Sequence, residues 1–347
     1  MDQLAIVRTI NHGSGDHTKL NHWMLTGFEG PAFNAPDFKQ QRRPAMGAIT
    51  AKVRGPNQPG MPPYAAVPHL RGGTDNFFHY SAYLGGGANP FICESDPNAA
   101  DFKVRNLALP AEMSLDRLES RREVLDELDW LQRADRRIAD LGEHYQRAFD
   151  LLTSKRVADA FNISAEADRL RDRYGRHTFG QSALLARRLV EAGVTFVTCN
   201  CVPWDHHGVP PQLKTEEGAR LLIPHLDRAV AALVEDLIQR GLYEKTLVVA
   251  MGEFGRTPRM NASAGRDHWG NTFSVLFGGG GLKMGQAIGR SSAKGEYVVD
   301  RPLSPQDVVA TVFHHLGIDG REVHFTDGLG RPFPVIENGA PIRELVG

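Results

Sequence analysis

Short apolar segments alternate with longer amphipathic segments in the second half of the chain, and this alternation limits the possible folds more than any other feature. Apolar runs at 194–199, 246–250 and 272–277 predict buried strands, and amphipathic segments at 216–240 and 305–316 predict helices. Strands that alternate with helices in this way form a mainly parallel sheet with helices on both faces. We therefore predict a doubly wound α/β fold.

The first half of the chain adds elements of the same kind and one of a different character. Leu4–Ile10 is short and apolar, as a buried strand should be, and residues 45–53 and 175–192 predict helices. Residues 112–173 place leucines at helical spacing among dense mixed charges, which predicts a charged helical insertion with a solvated face. We expect a single α/β domain over residues 1–347 that contains this insertion.

Charge and composition exclude several classes of protein. The chain has 40 basic and 41 acidic side chains and a net charge of −1, which disfavours binding to nucleic acid through its phosphates. Its three cysteines do not form a disulfide framework. No apolar run is long enough for a transmembrane helix. The N-terminal residues lack the features of an export signal, so the sequence as written is expected in the cytoplasm.

Polar side chains crowd the ends of the predicted strands. The segments that carry them are Asn11–His17, Trp204–Gly208, Met251–Pro258 and Gly265–Gly270. Ligands of open α/β sheets bind beyond the strand ends, so we expect these segments to share one site. Imidazoles beside carboxylates are typical of divalent metal sites. Arg256 and Arg266 add guanidinium groups, which bind phosphate, sulfate or carboxylate.

Three polar or glycine-rich features of the sequence have a simple structural interpretation. Gly278–Gly281 lacks the Lys-Ser/Thr pair of a phosphate-binding loop and predicts a tight turn. Cys199 and Cys201 form only one pair of soft ligands, and a buried thiol is the commoner outcome. Arg256 or Arg266 can form a structural ion pair with Glu253 or Asp267 in place of binding an anion.

Several segments together resemble the DUF1501 family. They are SGDHTKLNHWMLTG at 14–27, WDHHG at 204–208, MGEFGRTPRMN at 251–261, GRDHWGNTFSVLFGGGGLKMGQAIG at 265–289 and RPLSPQDVVATVFHHLGID at 301–319. That family is grouped with alkaline phosphatases and sulfatases. The resemblance therefore implies an alkaline phosphatase-like domain and a metal-dependent hydrolase of phosphate or sulfate esters. Its implied cofactor is a divalent metal such as zinc, manganese or calcium, and its implied substrate an anionic small molecule or glycan.

The resemblance also implies which residues hold the metal. By position, Asp205, His207, Glu253 and His268 match the late ligands of the superfamily, with His206 competing for the place of His207. In the superfamily a histidine follows the acidic ligand at the position of Glu253. Phe254 takes that place here.

The nucleophile and the anion-binding groups follow from the same resemblance. Thr18 is the implied nucleophile, with Ser14 as a weaker candidate and a metal-activated water as the alternative. His17 is implied as a catalytic base, a ligand or a phosphate acceptor. Arg256 and Arg266 are expected to bind the anionic group of the substrate.

Two family features are missing from the sequence as written. Superfamily members open with a strand that ends in an acidic metal ligand, and DUF1501 relatives carry an export signal that directs them to the periplasm. The alternative to a hydrolase is therefore a non-catalytic relative, or a truncated chain, that binds metal or an anionic glycan.

Overall fold

The computed structural model describes residues 2–68, 78–104, 149–201, 204–327 and 329–347, together with isolated positions between 107 and 124. Most of the helical stretch predicted within residues 112–173 lies outside these ranges. Among the described residues, no helix combines the length and the apolar character needed to cross a membrane.

The strands are short, and several flank the polar segments. In chain order they are β1 (Leu4–Ile10), β2 (Tyr64–Val67), β3 (Phe91–Ile92), β4 (Phe196–Cys199), β5 (Leu247–Ala250), β6 (Gly255–Arg256), β7 (His268–Trp269), β8 (Phe273–Gly279), β9 (Gln286–Ile288), β10 (Arg290–Ser291), β11 (Val298–Asp300), β12 (His324–Thr326) and β13 (Pro332–Pro334).

The helices are α1 (His17–Thr26), α2 (Met46–Arg54), α3 (Lys155–Phe161), α4 (Asp168–Tyr174), α5 (Thr178–Ala192), α6 (Thr215–Gln239), α7 (Pro305–His315) and α8 (Arg343–Val346). Local signals set several of their ends. Helix α7 begins with Ser304 as its N-cap and Pro305 in its first turn, as predicted, and Asp307 completes a capping box. Gly193 adopts a left-handed conformation and ends α5.

The α/β class is confirmed, whereas the prediction of a mainly parallel sheet is wrong for the larger sheet. Its strands lie in the order β5–β8–β1–β9, with β8 antiparallel to both β5 and β1, and β1 parallel to β9. Residues of the polar edge, His268 and Trp269, lie just before β8 in the chain. That strand therefore runs away from the edge, whereas β1 and β5 run toward it. The smaller sheet, β3–β2–β4, is parallel throughout.

Helices cover both faces of these strands. On one face, Ile49 of α2 and Val309 and Phe313 of α7 form a buried cluster, against which Phe196 of β4 and Val249 of β5 pack. The other face is covered mainly by α5 and α6. Leucines and alanines of those helices form a second cluster with β2. Apolar burial on both faces leaves the strand ends as the place for polar side chains.

Candidate functional site

Helix α1 starts at the polar edge because Asp16 caps it. Its Oδ1 accepts a hydrogen bond from the backbone N of Thr18 at 3.0 Å, and its Oδ2 accepts one from the backbone N of Phe33 at 2.8 Å. The cap fixes His17 as the first helical residue. The Nδ1 atom of His17 lies 2.6 Å from Oε1 of Glu253, which follows β5. The carboxylate therefore orients this imidazole.

The loop after β4 carries Asp205, whose two oxygens have different partners. Oδ2 accepts a hydrogen bond from Nε2 of Gln212 at 2.8 Å. Oδ1 accepts one from Nη2 of Arg256 at 2.7 Å, and the same Nη2 donates to the carbonyl of Trp204. Burial alone would raise the pKa of Asp205, but the side chains of His17, His268 and Arg256 around it hold that pKa well below its usual range.

His207 lies two residues further along the same loop. Its Nδ1 lies 2.8 Å from Oδ1 of Asp267, and this hydrogen bond lowers the pKa of that carboxyl. Nδ2 of Asn261 donates both to the backbone carbonyl of His207 and to Oδ1 of Asp267. Backbone and ring are thus both held, and Nε2 of His207 points at Asp205.

His268 reaches the cluster from β7, which pairs with β6 so that Arg256 and His268 are opposite each other. Its Nδ1 lies 2.7 Å from the carbonyl oxygen of Gly15. A carbonyl only accepts hydrogen bonds, so Nδ1 of His268 carries the proton. In the neutral ring, Nε2 of His268 is then a bare lone pair.

The Nε2 atoms of three histidines converge on one carboxylate oxygen. Oδ1 of Asp205 lies 2.9 Å from His207, 3.1 Å from His268 and 3.9 Å from His17. Nε2 of His207 and Nε2 of His268 are themselves 2.9 Å apart. The ligand atoms of His17, Asp205 and His268 all lie within 4.8 Å of one another. These residues could hold a metal ion, and their side chains are 18–23% exposed, so solutes can reach them.

The hydroxyls of Thr18 and Ser14 have hydrogen-bond partners outside this convergence. Thr18 is fully buried, and its hydroxyl lies 2.9 Å from Oδ1 of Asp16 and 3.1 Å from the carbonyl of Pro31. The Ser14 hydroxyl accepts a hydrogen bond from the backbone N of Asp16. Both hydroxyls therefore support the start of α1.

Arg256 and Arg266 have different hydrogen-bond partners. Arg256 forms a structural ion pair, but its partner is Asp205 and not the expected Glu253 or Asp267. Nη1 of Arg266 donates to the carbonyls of Thr257 and Pro258, which fixes a loop next to the cluster.

His206 points away from the cluster. Its ring packs against Gly218 of α6, and burial lowers its pKa. Of the two adjacent histidines, His207 is thus the one that contributes to the cluster.

The chain was also compared with known proteins. A family model described as a protein of unknown function, DUF1501, matches residues 1–346. The chain belongs to the DUF1501 family. Comparisons with curated proteins and with solved structures gave no match. In this DUF1501 chain, three groups of the site were not predicted from the sequence: the Gly15 carbonyl, Gln212 and Asn261. Each acts through a contact between segments that are distant in sequence or through an ordinary amide, and neither leaves a sequence pattern.

Proposed function

We propose that this DUF1501 protein is a metal-dependent hydrolase of phosphate or sulfate esters, with an alkaline phosphatase-like site. Asp205, His207 and His268, which the sequence singled out, hold the metal together with His17. One observation carries the proposal: the Nε2 atoms of His207 and His268 face each other at 2.9 Å. Each ring is held by an acceptor at Nδ1, so two neutral rings would turn lone pairs toward each other.

A divalent cation fits this donor set. Two nitrogen ligands of a tetrahedral zinc ion lie about 3.3 Å apart, close to the separation found here. Carboxylates on the Nδ1 atoms of His17 and His207 are typical partners of metal-binding imidazoles. Zinc or manganese suits imidazole and carboxylate together, whereas calcium prefers oxygen ligands alone. Glu253 orients His17 in this arrangement and is not itself a ligand.

The residues around the donor set suit an anionic ester. A bound divalent ion supplies positive charge to the ester oxygens and Lewis acidity to a water molecule. The guanidinium of Arg256 adds a fixed positive charge beside Asp205 and binds the anionic group of the substrate. Glu253 and Asp267 keep the Nδ1 protons of their imidazoles in place, so that Nε2 is the nitrogen that would bind the cation.

A second candidate is a non-catalytic relative that binds metal and an anionic ligand such as a sulfated glycan. The specific observation in its favour is the position of Thr18, whose buried hydroxyl cannot attack a substrate in the cluster. A hydrolase built on this chain would use water as the nucleophile.

The first experiment measures whether the protein contains a metal. We expect about one equivalent of zinc or manganese by elemental mass spectrometry of protein purified without a metal-affinity tag. His17→Ala and His268→Ala should lose the metal, and His314→Ala, an exposed histidine of α7, should keep it. Absence of metal after reloading would overturn both candidates.

Activity decides the second step. The metal-loaded protein is assayed with panels of aryl phosphate and aryl sulfate esters. We expect hydrolysis that is abolished in His268→Ala, and Arg256→Ala should weaken inhibition by phosphate or sulfate without releasing metal. Metal binding with no turnover of either panel would favour the binding candidate.

A further inference from the structure

A cavity of about 400 Å³ lies beside the segments that carry the proposed metal ligands. Its lining residues are Asn11, Gly13, Asn271, Tyr297, Val298, Val299 and Pro302. None of them belongs to the cluster of histidines around Asp205. The space in front of Gly13 is open, because a Cβ atom added there would meet nothing within 4 Å beyond its own chain neighbours. The volume is in the range of small-molecule sites, so this cavity is a second place where the protein can bind a ligand.

One wall of the cavity is attached to the segment of His268. The backbone N atoms of His12 and Gly13 both donate to the carbonyl of Gly270, at 3.0 and 3.1 Å, so the loop after β1 lies against this segment. Asn271 follows His268 by three residues, which separates their Cα atoms by at most about 11 Å. The cavity is therefore within the length of a small substrate from the cluster.

A further wall is the turn between β10 and β11, which is attached to the same segment. Nε1 of Trp269 donates to the carbonyl of Glu296 at 2.9 Å. Within the turn, the backbone N of Ser292 donates to the carbonyl of Tyr297 at 2.8 Å, and the hydroxyl of Ser292 accepts from the backbone N of Glu296 at 2.9 Å. These bonds fix the turn that carries Tyr297 next to the residue that follows His268.

The polar groups of the cavity are two side-chain amides. Nδ2 of Asn11 donates to the carbonyls of Thr9 and Leu303, at 3.3 and 3.2 Å, which holds the amide in place and leaves its Oδ1 as an acceptor. Asn271 is exposed, and its amide has no hydrogen-bond partner among the described residues. No charged side chain lines the cavity. Its walls thus offer hydrogen-bond donors and acceptors without a net charge.

Apolar surface accompanies these amides. Tyr297 is 58% exposed and Val299 is 50% exposed, although valine and tyrosine side chains are more often buried. The face of an aromatic ring packs against C–H groups, while a tyrosine hydroxyl can form a hydrogen bond at the edge of the same ring. The cavity therefore suits a ligand that has apolar C–H groups and several uncharged polar groups on one small ring.

We propose that this cavity binds a neutral sugar ring in the alcohol part of the ester substrate. The C–H groups of a sugar pack on Tyr297, and its hydroxyls pair with the amides of Asn11 and Asn271. An acyl chain would leave both amides without partners, and an anion would find no cation on these walls. The position of the ester rests on the proposed hydrolase function, whereas the sugar site itself does not.

Binding of neutral disaccharides tests the sugar site in the full chain. The probes are cellobiose, lactose and maltose, with cyclohexanol as a ring of low polarity, and saturation-transfer NMR measures their dissociation constants. We expect at least one disaccharide to bind and cyclohexanol to bind at least about tenfold more weakly, since it cannot pair with both amides. Failure of every disaccharide to bind, or equal binding of cyclohexanol, would overturn the proposal.

Exposed side chains of the cavity allow variants that should fold normally. Asn271→Ala and Tyr297→Ala should each weaken disaccharide binding about five- to tenfold, because the first removes hydrogen bonds and the second an aromatic face. Asn338→Ala changes an exposed asparagine outside the cavity and should leave binding unchanged. The same affinity in all of these variants would place the sugar elsewhere and refute the assignment.

Turnover separates the sugar site from the hydrolase. The substrates are glucose 6-phosphate and glucose 6-sulfate, with phenyl phosphate and phenyl sulfate for comparison. We expect Asn271→Ala to raise KM for the sugar esters about tenfold and to leave KM for the phenyl esters unchanged. Hydrolysis of phenyl esters without disaccharide binding would overturn the sugar site and keep the hydrolase. Disaccharide binding that depends on Asn271, without hydrolysis of any ester, would keep the sugar site and overturn the hydrolase.

Discussion

Two clusters of charged side chains in this protein look alike in composition and differ in what they can do. One surrounds Arg187, a buried residue of α5 that is 1% exposed. Its guanidinium lies 2.7 Å from Glu166, 2.6 Å from Glu191 and 2.8 Å from Asp236. The hydroxyl of Tyr174 donates to Asp236 as well. Arg188 and Arg240 pair with the same carboxylates, so three positive charges match three negative ones.

The second cluster is the histidine site around Asp205. There the acceptors at Nδ1 of His207 and His268 turn the two Nε2 atoms toward each other. The number of charged groups does not distinguish the clusters, but the match of donors to acceptors does. Every carboxylate around Arg187 has a guanidinium partner, whereas we propose that a cation completes the histidine site.

The largest effect should come from breaking the complete network. Arg187→Met removes the buried positive charge at the centre of the network and leaves Glu166 and Asp236 with one guanidinium partner each, Arg188 and Arg240, which should lower the free energy of unfolding by about 3 kcal/mol. Urea denaturation measures it. Arg220→Met removes an exposed pair with Glu216 and should cost less than about 0.5 kcal/mol. Similar losses in the two variants would contradict the comparison.

Acid should weaken the fold through a residue of neither cluster. Burial raises the pKa of Glu166, but hydrogen bonds from Arg187 and Arg188 outweigh this effect and lower the pKa below its usual value. The network around Arg187 therefore persists at pH 5. Burial lowers the pKa of His22 to about 4. The imidazole of His22 donates to the carbonyl of Phe28 and stays neutral in the folded protein.

The sign of the pH effect follows from that neutral imidazole. At pH 5 the unfolded chain protonates His22, whose ordinary pKa is 6.5, and the folded chain does not. The free energy of unfolding should therefore fall by about 2 kcal/mol from this residue between pH 7 and pH 5. His22→Gln should reduce the pH dependence by that amount. An unchanged slope, measured by denaturation at both pH values, would be evidence against a neutral buried His22.

A smaller effect is expected at Glu253, and it tests the role of this residue in the histidine site. Glu253→Gln keeps the size of the side chain but removes the charge that orients His17, so metal affinity should fall about ten- to a hundredfold. Stability without metal should be nearly unchanged. Competition with a chelating dye measures the affinity, and the exposed Glu244→Gln serves as control. Complete loss of metal would identify Glu253 as a ligand.

The smallest effect is expected at Asp267, which is 55% exposed. Asp267→Ala removes a partner of His207 that water can replace, so metal affinity should fall by no more than about tenfold. His268→Ala removes a donor atom and should reduce metal content much further. Equal losses in the two variants would contradict the assignment of His268 as a ligand and of Asp267 as the residue that orients His207.

Local signals explain why much of the fold could be predicted from the sequence. Strand Leu4–Ile10 has the predicted bounds, the helix predicted at 216–240 spans Thr215–Gln239, and Ser304-Pro305 begins a helix as expected. The direction of β8 could not be predicted by the same means, because a strand's apolar pattern is the same in either direction. The order of the chain carried a hint: GRDHWG precedes β8, whereas the other polar segments follow their strands.

The site was predictable in its members more than in their roles. Strand-end position identified the segments that carry Asp205, His207 and His268, and the family resemblance implied these three residues as ligands. Whether His17 or Glu253 supplies the donor atom depends on which of them lies nearer Asp205, a distance that composition and spacing do not encode. Thr18 is buried because Asp16 caps the helix that contains it. The sequence shows the residues of this cap, but their pattern is the same as that of an active-site loop.

The histidine site joins segments that are far apart in the chain: His268 contacts Gly15 across 253 residues, and His17 contacts Glu253 across 236 residues. Contacts of such separation form late, because the chain must close long loops before they are made. Metal capture would therefore report the final stage of folding, after the sheet and both helical layers are in place. A partly folded chain can have native helices and still fail to bind the ion, which makes retained metal a stringent measure of the fully assembled protein.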